Sequence, residues 1–318
     1  MLLYADDLVL LGDSIGNVQR LLDNLAIFCT KWGLTVNMDK TKLMVFRNGG
    51  IVTRKENVYF NGKKIPATSY YKYLGVIMST RLSWSPAQKT LAQQSEKAMQ
   101  VISKLNYECN FSFLTSNVIF DKCVLPILLY GSEIWGFNVH RVIESVLLKF
   151  CRQQLGVGSK APAPALRGEC GRHCIYVLCY VRFVKYWLKL ISLPEDSLLK
   201  SCYNMLYEHA NAGRENWASQ VKYMLYRFGF GYIWESQSVS NVGEFVLYFT
   251  RRLMDCDIQN WNDELCNMPK LRTYCLFKKN LSPEPYLFLS IPQNKILISK
   301  MQNRYTSVSY RTGKAYKH

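Results

Sequence analysis

The hydrophobic period of the chain changes at Pro86, and that change limits what it can fold into. Before it, apolar residues come in short runs at 2–4, 8–11, 34–36, 43–46, 58–60 and 70–78, separated by turn residues. Asn61-Gly62 accepts the two positive φ angles of a tight hairpin turn, so 58–65 reads as a hairpin. One helix interrupts the strands. From Val18 the residues Leu21, Leu22, Leu25, Phe28, Cys29 and Trp32 keep a three-and-four rhythm, with Ser14 or Asn17 to cap the start and Gly33 to end it. After Pro86 helical rhythm dominates, up to a Pro- and Lys-bearing tail: Leu91, Ser95, Ala98, Met99, Ile102 and Leu105 share one face. Further helices are expected at 114–130, 141–155, 174–191, 195–212, 215–227 and 243–254, and Ala161-Pro162-Ala163-Pro164 reads as a linker. The fold class expected is α+β, with the strands confined to the amino-terminal quarter.

The 318 residues are 49% hydrophobic with a mean hydropathy of −0.08, which excludes a disordered chain. Lys and Arg number 40 against 23 acids, a net charge of +17 that points to a polyanionic partner. The excess lies in two zones. Residues 39–104 hold twelve basic and three acidic side chains, and 269–318 hold ten and one. Eleven irregularly spaced cysteines with no secretory signal before them read as free thiols in a reducing compartment, so the expected location is intracellular, cytoplasmic or nuclear, and not secreted. Cys170, His173, Cys174 and Cys179 form a cluster, yet no second pair stands at a distance that closes a tetrahedral zinc site. The most apolar stretch, 174–193, carries Arg182, Lys185 and Lys189 on one stripe and reads as a buried amphipathic helix, with no membrane partner.

Tyr4-Ala5-Asp6-Asp7 stands between two apolar strands. Two adjacent acids at a hairpin tip repel unless neutralised, and a divalent cation is one reason to hold them there; by itself the tetrapeptide also fits an ordinary acidic turn.

In its order of motifs the chain resembles the reverse transcriptases of non-LTR (LINE-like) retrotransposons. Tyr4-Ala5-Asp6-Asp7 with Leu8-Val9-Leu10 resembles their catalytic hairpin. The block Gly33-Leu34-Thr35-Val36-Asn37-Met38-Asp39-Lys40-Thr41-Lys42, the later Tyr73-Leu74-Gly75, and the segment from Leu125 to Trp135 are similar to blocks that follow it in that lineage. The resemblance covers roughly residues 1–135. It implies a partial polymerase palm at 1–84, a thumb-like helical domain at 85–160 and a helical carboxyl-terminal region with a basic tail at 165–318. It also implies RNA-directed DNA synthesis with Mg²⁺, on an RNA template and a DNA primer. Asp6 would bind metal and Asp7 support it, both as catalytic residues. Lys40 would lie near the nucleotide phosphates or else be a solvated loop lysine. Tyr73, Leu74 and Gly75 would position the primer end or else form a packed strand. Lys89, Lys97 and Lys104 would track phosphates or else face solvent, and Trp135 belongs in the core.

The family uses a further aspartate on a strand well before the hairpin, and fingers that hold template and nucleotide, whereas three residues precede Tyr4 here. Within these 318 residues there is neither an endonuclease segment before the hairpin nor a Cys/His knuckle after the helical region. The expectation is therefore a carboxyl-terminal fragment, inactive by itself. The alternatives are a non-catalytic nucleic-acid-binding module and a non-functional relic of a retroelement. No feature identifies a protein partner.

Overall fold

A computed structural model describes residues 1–46 and 57–289. The basic residues at 47–56, and the tail from 290 with most of the second basic zone, lie outside the described residues. The chain forms two compact units, Met1–Ala87 and Gln88–His318.

Among the described residues the first unit is three separate antiparallel hairpins and one helix. Strands β1 (Leu2–Tyr4) and β2 (Asp7–Val9) pair first, and α1 (Ile15–Trp32) follows. Strands β3 (Tyr59–Phe60) and β4 (Lys63–Lys64) close on Asn61 and Gly62, with φ of 47° and 76°, as their spacing predicts. Strands β5 (Tyr70–Tyr73) and β6 (Val76–Ser79) form the third hairpin. Ser14 caps α1 by accepting from the Asn17 amide at 3.3 Å, and Gly33 ends it at φ 65°. The Gln19 side chain clamps the helix to β3: its amide donates to Tyr59 O and its oxygen accepts from Tyr59 N, both at 2.8 Å. Around that clamp Leu22, Cys29, Leu43, Val58, Phe60 and Ile65 make the core.

The expected strands at 34–36 and 43–46 do not form. Leu43 makes a single parallel bridge to Ala67, and 34–36 find no partner strand among the described residues. An apolar run becomes a strand only where a neighbour accepts its backbone hydrogen bonds.

The second unit is helical. It contains α2 (Ser85–Cys109, which begins at the boundary), α3 (Phe113–Ile119), α4 (Leu125–Leu128), α5 (Ser132–Trp135), α6 (Arg141–Leu155), α7 (Ala163–Cys170), α8 (Ile175–Ile191), α9 (Leu198–Asn211), α10 (Trp217–Arg227), α11 (Gly231–Ser236), α12 (Val242–Asn267) and α13 (Tyr274–Phe277). The single helix expected at 114–130 is broken by a wide π turn, Phe120–Val124. Pro126 has no N–H to donate and its ring crowds the carbonyl four residues back, so the turn before it widens, and the Leu125 amide reaches Phe120 O. The expected linker also fails. Pro162 and Pro164 open α7, whose Ala165, Leu166 and Arg167 are buried.

Helices α8 to α12 share one core, where Trp187 stacks on Trp234 and donates from Nε1 to the Tyr203 hydroxyl at 2.8 Å. Trp135 is also core, its Nε1 bonded to Tyr130 O at 2.9 Å.

One buried carboxylate ties three of these helices. Asp257 on α12 meets His173 Nδ1 at 2.8 Å, accepts from the Cys174 amide at the start of α8 at 3.2 Å, and pairs with Arg167 of α7 at 3.5 Å. Burial raises its pKa, but the His173 hydrogen bond and the Arg167 charge outweigh burial and hold it below the usual carboxylate value. The Glu169 carboxylate accepts from Tyr274 Oη at 2.7 Å and from Tyr286, fixing the segment beyond α12.

Two substitutions, and a third as a control, test this packing. Replacing Asp257 with Ala leaves His173 and the Cys174 amide without their acceptor, while Arg167, 4% exposed, keeps Glu264 at 2.8 Å, and should cost about 1–3 kcal/mol in urea unfolding. Because the folded pKa is depressed, the Asp257 contribution is complete above the ordinary value of about 3.9 and should fade as pH falls through the folded value. Gly171 has φ 63°, and a Cβ there would stand 2.4 Å from Pro283 N, whereas Gly158 faces open space. Gly171→Ala should lower the urea midpoint by the equivalent of roughly 2 kcal/mol or more, and Gly158→Ala by less than about 0.5 kcal/mol.

Candidate active-site hairpin

The β1–β2 hairpin has three residue pairs, Leu2 with Val9, Leu3 with Leu8 and Tyr4 with Asp7, leaving Ala5 and Asp6 as a two-residue turn. Its register puts Asp6 at the tip and Asp7 at the first pair, so both carboxylates belong to one turn. Both residues are exposed, and among the described residues neither has an ion-pair partner. Ala5 is held at φ 52°, a left-handed conformation that costs a non-glycine residue roughly 1–2 kcal/mol. The hairpin carries its apolar residues outward as well: Leu3 is 64% and Tyr4 65% exposed. On α1, Ile27, Phe28 and Trp32 are likewise exposed.

Lys40 lies in a tight turn built by Asn37. The Asn37 side-chain oxygen accepts from the amides of Asp39 at 3.1 Å and Lys40 at 3.2 Å, while its backbone oxygen accepts from Thr41 N and Oγ1. The spacing of Asn, Lys and Thr in this block is therefore that of a self-closing turn. Its anchor is Tyr71, whose hydroxyl donates to Lys40 O at 3.2 Å; no sequence signal singles out that contact. The Lys40 side chain is exposed.

Tyr73 ends β5 and pairs with Val76 across a turn of Leu74 and Gly75, whose φ angles are 45° and 86°. Gly75 adopts this conformation freely and Leu74 does not, so the turn stores strain of the kind that clusters at functional sites. Tyr73 is half-buried. Lys89, Lys97 and Lys104 are all exposed on α2, opposite a buried face of Gln88, Leu91, Ala92, Ser95 and Met99. Gln88 fixes that face by donating to Asn138 O at 2.8 Å and accepting from His140 N at 2.6 Å.

Two adjacent carboxylates do not make a two-cation site, because two cations a few ångströms apart require oxygens from more than one strand. Among the described residues no group of three His, Cys, Asp or Glu side chains could hold a metal ion, so Asp6 and Asp7 fit one strand's share of such a site and no more. Of the Cys170, His173, Cys174 cluster, His173 and the Cys174 amide bond Asp257 instead, and Cys170 is buried against Cys151. Beside it, Arg167, Cys174, Tyr176, Asp257, Asn260 and Glu264 are among the residues lining a cavity of about 430 Å³. No described helix is long and apolar enough to cross a membrane.

Residues 1–78 match the family model of reverse transcriptase (RNA-dependent DNA polymerase). The chain is 30% identical over 140 residues to the probable RNA-directed DNA polymerase from transposon BS of Drosophila melanogaster, across 42% of this chain and 16% of that protein. It is 27% identical over 159 residues to the RNA-directed DNA polymerase from mobile element jockey of Drosophila funebris, across 46% and 17%. A transposon-derived protein of Caenorhabditis elegans is 29% identical over 139 residues, across 42% and 48%. The chain thus spans well under two thirds of the length of the curated relatives it matches, and no solved structure matches it. Over residues 1–78, from the Tyr-Ala-Asp-Asp hairpin through the Tyr-Leu-Gly turn, it is similar to reverse transcriptase, and its relatives include RNA-directed DNA polymerases of transposons and mobile elements.

Proposed function

We propose that the chain supplies the carboxyl-side part of a palm, the thumb and the region after it to an RNA-directed DNA polymerase of a non-LTR retrotransposon, working inside the cell. The observation that carries this reading is the exposed Asp6–Asp7 hairpin at the head of the segment that matches reverse transcriptase. On this reading Asp6 presents a carboxylate to Mg²⁺ and Asp7 supports it, while carboxylates from elsewhere complete the site. Lys40, on a turn fixed by Asn37 and Tyr71, offers its ammonium group to nucleotide phosphate. The strained Leu74–Gly75 turn, with Tyr73 beside it, positions the primer end. Residues 1–84 are the palm part and 85–160 the thumb, whose Lys89, Lys97 and Lys104 contact the phosphates of an RNA template paired to a DNA primer. Their common exposure on one helix supports this role.

A second reading, a nucleic-acid-binding module without catalysis, is favoured by those same exposed lysines and by the incomplete carboxylate set. Primer extension and a salt titration separate the two. The purified chain with a primed RNA template, nucleotides and Mg²⁺ should yield no extension, because one strand's carboxylates cannot hold both cations. It should nonetheless bind the duplex with an affinity that falls steeply with salt, and replacing Lys89, Lys97 and Lys104 together with Ala should reduce the salt slope by roughly 2–3. Extension by this chain alone that Asp6→Asn abolishes would overturn the incompleteness of the site. Binding with no salt slope would overturn the lysine assignment.

A further inference from the structure

The end of α12 and the turn that follows it bring two thiols together. Sγ of Cys266, exposed in the last turn of α12, lies 3.1 Å from Sγ of Cys275 in α13. A disulfide bond is about 2.05 Å long, so small rotations of the two side chains bridge the remaining distance. The backbone between them is anchored at several points. Leu271 is fully buried, Cys275 packs with Met268 and Leu281 on the cluster of Ala165, Trp261, Leu265, Leu271 and Tyr274, and the Tyr274 hydroxyl is bonded to Glu169. Lys279 Nζ donates to Cys275 O at 3.1 Å, which sets a cation beside the pair. Cys151 and Cys170 also face each other, but both are buried, out of reach of a dissolved oxidant.

We infer that Cys266 and Cys275 form an oxidation site, at which a peroxide converts the two thiols into a disulfide that pins α13 to α12. The Cys266 thiolate attacks one peroxide oxygen; the O–O bond breaks, hydroxide departs and is protonated to water, and Cys266 becomes a sulfenic acid. The Cys275 thiolate then attacks that sulfur, forming the S–S bond while the S–O bond breaks and a second water leaves. Two thiols lose two electrons in all, and one hydrogen peroxide becomes two waters. The hydrogen bond with Cys275 holds the Cys266 thiol above its ordinary pKa, so the reaction quickens as pH rises. The product fixes the segment that leads into the second basic zone, and the redox state of the surroundings then sets how readily that segment opens.

The test treats the full chain with hydrogen peroxide and maps its disulfides by mass spectrometry. Trypsin cuts after Lys270 and Arg272, between the two cysteines, so the linked pair appears as two joined peptides. The expected result is that this link dominates in the folded chain, that amide hydrogens of 271–277 exchange several-fold more slowly once it forms, and that Cys275→Ser abolishes both effects. In denaturant the same treatment should scatter links over all eleven cysteines. Cys266 oxidised to sulfinic acid with Cys275 still free would overturn the inference. So would a link from Cys266 to another cysteine or another chain, or exchange that is unchanged by oxidation.

Discussion

Burial decides which carboxylates of this chain are structural and which are open to chemistry. Asp257, 1% exposed, cannot keep a charge in the interior without compensation, and it receives it from Arg167, His173 and the Cys174 amide, one partner from α7 and two from the turn into α8. The helices of the second unit depend on that junction, because the same α12 also lays Phe245, Phe249 and Leu253 into the core of α8 to α12 and Trp261 and Leu265 into the cluster around Ala165 and Tyr274. Asp6 and Asp7 are the opposite case. They are exposed, adjacent, without an ion-pair partner among the described residues, and carried on a turn whose Ala5 is strained. A fold that needed them for stability would have buried and paired them.

The first unit is held by local devices. Each hairpin is a two-stranded ribbon, an arrangement that is marginal in water unless something packs against it. For β3–β4 the support is α1 through Gln19 and the Phe60 core, and for β5 it is the Tyr71 contact to the Lys40 turn. The β1–β2 hairpin instead turns Leu3 and Tyr4 outward, and the adjacent apolar residues of α1 are exposed as well. An apolar hairpin that carries two acids at its tip is expensive to leave in water.

What could be read from the sequence was what is local. The α1 caps at Ser14 and Gly33, the Asn61–Gly62 turn, and the helix that runs from Arg141 to Leu155 each follow from residues within a few positions of one another. The failures are non-local or steric. Leu43 finds one bridge in place of a strand, Pro126 widens the turn before it, and two prolines expected to mark a linker open a buried helix. Helix α12 runs thirteen residues past its expected end at 254, because Asp255, Asp257, Asn260 and Asp263 interrupt the apolar rhythm. Only the fold reveals that Asp257 points inward to a buried arginine. For the candidate site, the family resemblance pointed to Asp6, Asp7, Lys40 and Tyr73–Gly75, while the Tyr71 anchor and the Leu74 strain depend on geometry that the sequence pattern does not encode.

The claim that matters most is that the Asp6–Asp7 turn is a cation-binding edge and the other acids of the chain are not. A titration with Mn²⁺, which broadens the nuclear magnetic resonance signals of amides near the bound ion, tests it on the intact chain. The account predicts that the amides of residues 4–8 broaden first, and that Asp6→Asn removes the effect without disturbing the rest of the spectrum. Broadening that begins at Asp257, Asp263 and Glu264, around the cavity beside α12, and that is indifferent to Asp6, would contradict it.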